Sequence, residues 1–241
     1  MLRDTKIQFI DSWGDMPSEY YPVPAAKMVP DWYRKMPTYT DDKIVDKRKN
    51  FTDDTNSTAK KCMPFFDAMT AGYLITLPAD VNVRLEEDGS HWFEWANNQD
   101  TVQFHPQIQL PNYPRNESRV HSYPKFFHPW IIKTPPGYSS LFVSPIHQDV
   151  PFKTLEGIVD TDTYHDVILF PFMFLDDKFE GLIPAGTPIV QVIPFKRESW
   201  KSEIVQYSES VQHNINVAVN RLRSVFNDGY KKFFWSRKRY Q

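Results

Sequence analysis

Three groups of residues in this 241-residue sequence have types and spacings that could do chemistry. His147-Gln148-Asp149 has the His-x-Asp spacing used by two of the three ligands in a non-haem iron facial triad, so His147 and Asp149 are candidate metal ligands. The third ligand of an iron-dependent oxygenase would have to come from His165 or His213. The first lies too close in sequence for the usual arrangement, and the second falls on a helical segment away from its apolar stripe. Histidines 105, 121 and 128 match no zinc spacing. Asp160-Thr161-Asp162 places two carboxylates one residue apart, which a turn between strands also favours because Asp side chains bond to nearby backbone.

The third group is the C-terminus. Lys231, Lys232, Trp235, Arg237, Lys238 and Arg239 interleave bases with rings, a pattern that neutralises phosphates and stacks on nucleobases, or that docks on an acidic protein surface. Residues 221–241 hold seven Lys and Arg against one Asp, although the whole chain has a net charge of −2. The remainder is therefore acidic, and the charge balance favours docking on a second subunit over nucleic acid.

These groups need elements to position them. Twenty prolines against eight glycines, with 15% aromatic residues, disfavour long helices and suit short strands joined by rigid connections. Residues 140–144, 167–174 and 189–195 are apolar and β-prone. Between them Pro135-Pro136-Gly137, Asp160-Thr161-Asp162 and Pro184-Ala185-Gly186 supply turns, so residues 131–197 read as a barrel or sandwich segment without a helix. Strands are read between Cys62 and Trp95, at residues 72–77, 81–85 and 91–95, the last two joined at Glu87-Asp88-Gly89.

Ile7, Phe9 and Ile10 suggest an edge strand within a proline-punctuated arm. Pro30 and Asp31 start a short turn that presents Trp32 and Tyr33. Residues 47–61 read as a polar loop. The spacing of Ile204, Val211, Ile215, Ala218, Leu222 and Val225 predicts an amphipathic helix capped by Ser199 and stopped at Asn227-Asp228-Gly229. It lies on the β body or pairs with copies of itself. The organisation read from these signals is an arm and loop over 1–60, a β-barrel domain over 61–198, and a helix with a basic tail over 199–241. Cys62 is the single cysteine, which precludes an internal disulfide. No apolar run has the length of a signal peptide or membrane span, so the expectation is no membrane partner and a cytoplasmic setting, in the host or in a virion.

Residues 70–197 carry a resemblance. Thr70-Ala71-Gly72-Tyr73-Leu74, Pro135-Pro136-Gly137-Tyr138, Gly157-Ile158-Val159-Asp160-Thr161-Asp162-Thr163-Tyr164, and Gly186, Ile189 and Gln191 in the spacing Gly-x-x-Ile-x-Gln resemble, in order, the motifs of the dUTPase and dCTP deaminase superfamily. The resemblance implies an all-β fold, a distorted barrel or jelly roll, and association as a homotrimer. It implies Asp160 as the base that activates water, with Asp162 beside it, Tyr164 near the sugar, and Gly72, Tyr73 and Gln191 at a nucleotide, with Mg²⁺ as the metal. The proline-rich arm and C-terminal helix also resemble uncharacterised proteins of tailed phages.

The sequence departs from that pattern where phosphates are held. Leu74 stands where the family has a metal-associated Asp. Ser144-Pro145-Ile146 lacks the Arg-Ser-Gly motif, and Thr187-Pro188 replaces an Asp-Arg pair. A triphosphate needs several cationic or amide donors. The first expectation is therefore a non-catalytic, oligomeric, phage-type structural or interaction protein without a cofactor, whose partners are its own copies and other virion or host proteins. The alternatives are a divergent nucleotide-binding or nucleotide-hydrolysing enzyme with Asp160 as general base, and a non-haem iron oxygenase using His147 and Asp149.

Overall fold

The structure is a computed structural model that describes residues 5–40, 57–96, 100–110, 123–225 and 228–241. In chain order its strands are β1 (Gln8–Asp11), β2 (Val23–Pro24), β3 (Tyr73–Thr76), β4 (Val81–Leu85), β5 (His91–Trp95), β6 (Val102–His105), β7 (Tyr123–Phe126), β8 (Trp130–Lys133), β9 (Tyr138–Val143), β10 (Phe152–Thr154), β11 (Gly157–Val159), β12 (Phe170–Phe174), β13 (Gly181–Ile183) and β14 (Pro188–Lys196). The helices are α1 (Asp31–Lys35), α2 (Met63–Thr70), α3 (Glu209–Arg223) and α4 (Gly229–Phe233). The chain divides into a β unit of residues 1–28, 71–197 and 240–241, and a helical unit of residues 29–70 and 198–239.

The β unit is all-antiparallel. Its sheets run β11-β9-β14-β3-β2, β10-β12-β7-β6, β13-β4-β5 and β1-β8. The β4–β5 hairpin follows directly from its sequence. Val81 and Val83 point inward and are buried, Asn82 and Arg84 point outward, and Gly89 supplies the positive φ of 81° that closes the turn. Aromatic residues fill the core, with Phe93, Phe126, Phe152, Phe172 and Phe174 in one buried cluster. Phe126 and Phe172 stack at 3.8 Å between ring centroids. Each large ring buried this way contributes roughly 2–3 kcal/mol, which supplies cohesion in a unit without disulfides.

Two departures from the sequence expectations are local. Residues 63–70 are helical, an element not read within the strand region between Cys62 and Trp95. Eight largely apolar residues carry no alternation to distinguish the two states, and Thr70 bonds back to the Phe66 carbonyl at 2.8 Å, as a helical Thr does. The strand read over 167–174 begins only at Phe170, Val167 forming a single bridge to Ile131.

In the helical unit, α3 starts at Glu209, ten residues beyond the Ser199 cap. Ser208 is the cap instead, its Oγ accepting from Val211 N–H at 3.4 Å. Ile204, Val205 and Tyr207 are poor helix formers, and residues 198–208 hold no regular structure. The chain leaves α3 at Ser224, and Asp228 takes the left-handed conformation (φ 62°) before α4. Asn227, His121 and residues 47–56 of the polar loop lie outside the described residues. Among the described residues no helix is long and apolar enough to cross a membrane.

Candidate functional site

The register of the five-stranded sheet assembles a polar clasp. Pairing of β14 with β9 sets Lys196 opposite Tyr138, and pairing of β11 with β9 sets Val159 opposite Ser140. The next residue of each strand flanking β9, Arg197 after β14 and Asp160 after β11, therefore meets the start of β9 from opposite sides. Ser139 Oγ donates to Asp160 Oδ1 at 2.6 Å, and Arg197 Nη1 reaches the same oxygen at 3.2 Å. Arg197 also forks onto Asp162, with Nη1 on Oδ1 at 2.8 Å and Nη2 on Oδ2. Gly137 N–H donates to Asp162 Oδ2 at 2.8 Å, tying the Pro135-Pro136-Gly137 turn to the acidic turn. Beneath them the buried Thr161 hydroxyl bonds to Thr134 (2.7 Å) and Ser140 (3.0 Å).

The two carboxylates fare differently. The Asp162 side chain is 5% exposed with both oxygens occupied, and the Arg197 guanidinium, helped by the Gly137 amide, pulls its pKa down to about 2. A carboxylate held that way stays ionised at neutral pH and is a poor base. Asp160 is 62% exposed, and only its Oδ1 is engaged, leaving Oδ2 without a partner among the described residues. Tyr164 stays close to Asp160 through its backbone, donating N–H to the Asp160 carbonyl at 2.9 Å, while its ring lies exposed and its hydroxyl bonds at 3.4 Å to the Val167 carbonyl. Sequence reasoning found the two aspartates and missed Arg197, whose position as the first residue past a closing strand was the available signal.

Gly72, Tyr73 and Gln191 form a second cluster, six residues along β14 from Arg197 and so about 20 Å away. Gln191 is fully buried. Its Nε2 donates to the Ala71 carbonyl at 2.7 Å, and its Oε1 accepts from Ile146 N–H at 2.9 Å. Gly72 sits at φ 66°, and a Cβ there would fall 1.9 Å from the Val192 carbonyl oxygen. Close backbone approach explains this glycine without a ligand. Tyr73 is buried against Phe9 and Tyr240, and its hydroxyl donates to the Gln241 carbonyl at 3.1 Å. The chain thus keeps the Gly72 group and the Asp160 group apart within one β unit.

His147 and Asp149 are exposed in the loop between β9 and β10. His147 holds a left-handed backbone (φ 60°), and partial desolvation by the protein around its ring lowers its pKa although the residue is exposed. Gln148 between them donates from Nε2 to the Met28 carbonyl at 2.7 Å. Among the described residues no group of three or more His, Cys, Asp or Glu is placed to hold a metal ion.

In the helical unit the basic tail folds onto α2. Trp235 Nε1 donates to both carboxylate oxygens of Asp67 (3.1 and 2.9 Å), and Lys238 Nζ reaches Asp67 at 2.7 Å. Lys232 lies 5.4 Å over the Phe233 ring. Lys231, Arg237 and Arg239 are exposed. Trp235 and Lys238 are thereby committed to the chain's own acid. Comparison with protein-family models, curated proteins and solved structures found no match.

Proposed function

We propose that this protein is a non-catalytic, oligomeric structural or interaction protein of phage type, built on a dUTPase-like barrel that associates in threes. The observation that carries the reading is the state of the polar groups a nucleotide would need. Gln191 is fully buried with both ends on backbone, and both Asp162 oxygens are held by Arg197 and Gly137. Freeing the Gln191 amide to grip a phosphate, or the Asp162 carboxylate to hold a metal ion, would leave buried polar groups without partners, at roughly 1–3 kcal/mol each. In this reading the clasp locks two turns of the barrel together, and the protein's partners are its own copies and other virion or host proteins.

One observation favours a second reading, nucleotide hydrolysis with Asp160 as general base. Asp160 is exposed and keeps one oxygen for a water molecule. In that case Mg²⁺ and donors from another chain would have to hold the phosphates. A thermal-shift panel of nucleoside triphosphates with and without Mg²⁺ separates the two. The non-catalytic reading gives no shift in melting temperature at millimolar nucleotide, whereas a ligand at a hundred times its Kd would stabilise by about 2.7 kcal/mol.

A further inference from the structure

We infer that α3 pairs with α3 of a second copy of this chain, antiparallel and about a two-fold axis. This deepens the oligomeric reading above and rests on it. The first observation is exposure. No residue of α3 is buried, and Ile215 and Leu222 are 44% and 41% exposed. The preceding segment leaves Trp200 86% and Ile204 99% exposed. Removing such side chains from water is favourable, so an apolar stripe of this kind marks a surface that another surface covers.

The second observation is what pattern the stripe has. Val211, Ile215, Ala218 and Leu222 follow a 4-3-4 spacing, the seam of a two-helix coiled coil, whose natural complement is another helix with the same spacing. The set is also symmetric about its middle. Turning a second copy end for end sets Val211 opposite Leu222 and Ile215 opposite Ala218, a large residue against a small one at the centre.

The third observation is charge, and it selects the direction. Glu203 precedes the helix and Glu209 stands in its first turn, while Arg221 and Arg223 occupy its last. Antiparallel packing brings the acidic end of one copy to the basic end of the other and opposes the two helix dipoles. Parallel packing would crowd Arg221, Arg223 and the basic residues beyond them against their own copies. An isologous contact of this kind joins chains in pairs and leaves the β unit free to make its own association.

The experiment is disulfide trapping in the full chain, with Cys62, which is exposed, replaced by Ser. Val211→Cys and Leu222→Cys chains carrying different tags are expressed separately and together, then oxidised. The antiparallel contact gives a linked species only when the two are together, because in that register like residues lie about 16 Å apart along the axis. Linking in either variant alone would mean parallel helices and overturn the inference. An oligomer of unchanged mass that forms no link in any combination would overturn it while leaving oligomerisation intact, and a single-chain mass would overturn both. Leu222→Lys provides a second readout, with expected loss of the pairwise step at unchanged helix content; unchanged mass for this variant would count against the contact.

Discussion

Arg197 and Asp162 form a forked ion pair across 35 positions of sequence, with Nη1 on Oδ1 at 2.8 Å and Nη2 on Oδ2. One guanidinium thereby fastens the turn after β11 to the end of β14, and the exposed Asp160 shares only one of its nitrogens. The two aspartates, one residue apart, therefore have separate consequences.

Asp162→Asn should lower the thermal midpoint of the protein, because the neutral amide loses the fork, whereas Asp160→Asn should change it little. Differential scanning calorimetry of the two variants checks this contrast. The Asp162 pKa is depressed from the ordinary 3.8 to about 2, so its stabilising effect is complete above pH 3.8 and disappears as pH falls through 2.

A different acid response should come from His128. It is fully buried, stacks on Phe170 at 4.6 Å, and accepts Trp130 N–H on Nδ1 at 3.0 Å. Burial drives its pKa from 6.5 down to about 3. A second proton on the ring would also aim an N–H at the Trp130 N–H. The folded form binds this proton more weakly than the unfolded one, so stability is full above pH 6.5 and falls below it, by roughly 2 kcal/mol at pH 5. Partial desolvation lowers the pKa of the exposed His147 too, which acts in the same direction. Urea titrations at pH 7.5 and 5 check the loss. His128→Asn keeps an acceptor for Trp130 and should be less stable at pH 7.5 with a smaller drop between the two pH values.

Gly72→Ala is expected to be severe. The added carbon would meet the Val192 carbonyl oxygen at 1.9 Å, between paired strands that have no slack, and the backbone is in a left-handed conformation besides. A cost on the order of 4 kcal/mol or more should appear in equilibrium unfolding, with a shift in urea midpoint and an unchanged slope. The same change at Gly14, where nothing lies within 4 Å of an added carbon, should cost only the strain of its positive φ, about 1 kcal/mol.

Asp67→Ala should release the basic tail. Trp235 and Lys238 both bond to this carboxylate, so its removal should speed tryptic cleavage after Arg237, Lys238 and Arg239 by about tenfold if docking is worth ~1.4 kcal/mol. Mass spectrometry of timed digests reads the rate.

What was legible in the sequence follows the range of the interactions. The β4–β5 hairpin is written in adjacent residues, with alternating Val81 and Val83 and a glycine turn, and it forms as read. The stripe of α3 was visible at its 3.6-residue period, but its start was set by which serine meets an N–H three residues on, and Ser208 does so. Helix α2 was hidden because Met63 to Thr70, at eight residues, is too short for a period to show. The acidic turn was legible from Asp160 and Asp162 alone. Its partner Arg197 was not, because strand register rather than local pattern brings it there. Gln191 enters through the motif resemblance, yet only the fold reveals that its amide is consumed by Ala71 and Ile146.

Sedimentation equilibrium of the full chain at micromolar concentration and physiological salt is the most direct measurement of the central claim, that this is a protein whose role is assembly. The expected mass is a multiple of the 28.4 kDa chain, reduced when Leu222 becomes Lys. A species of 28.4 kDa that stays single up to tens of micromolar would contradict it.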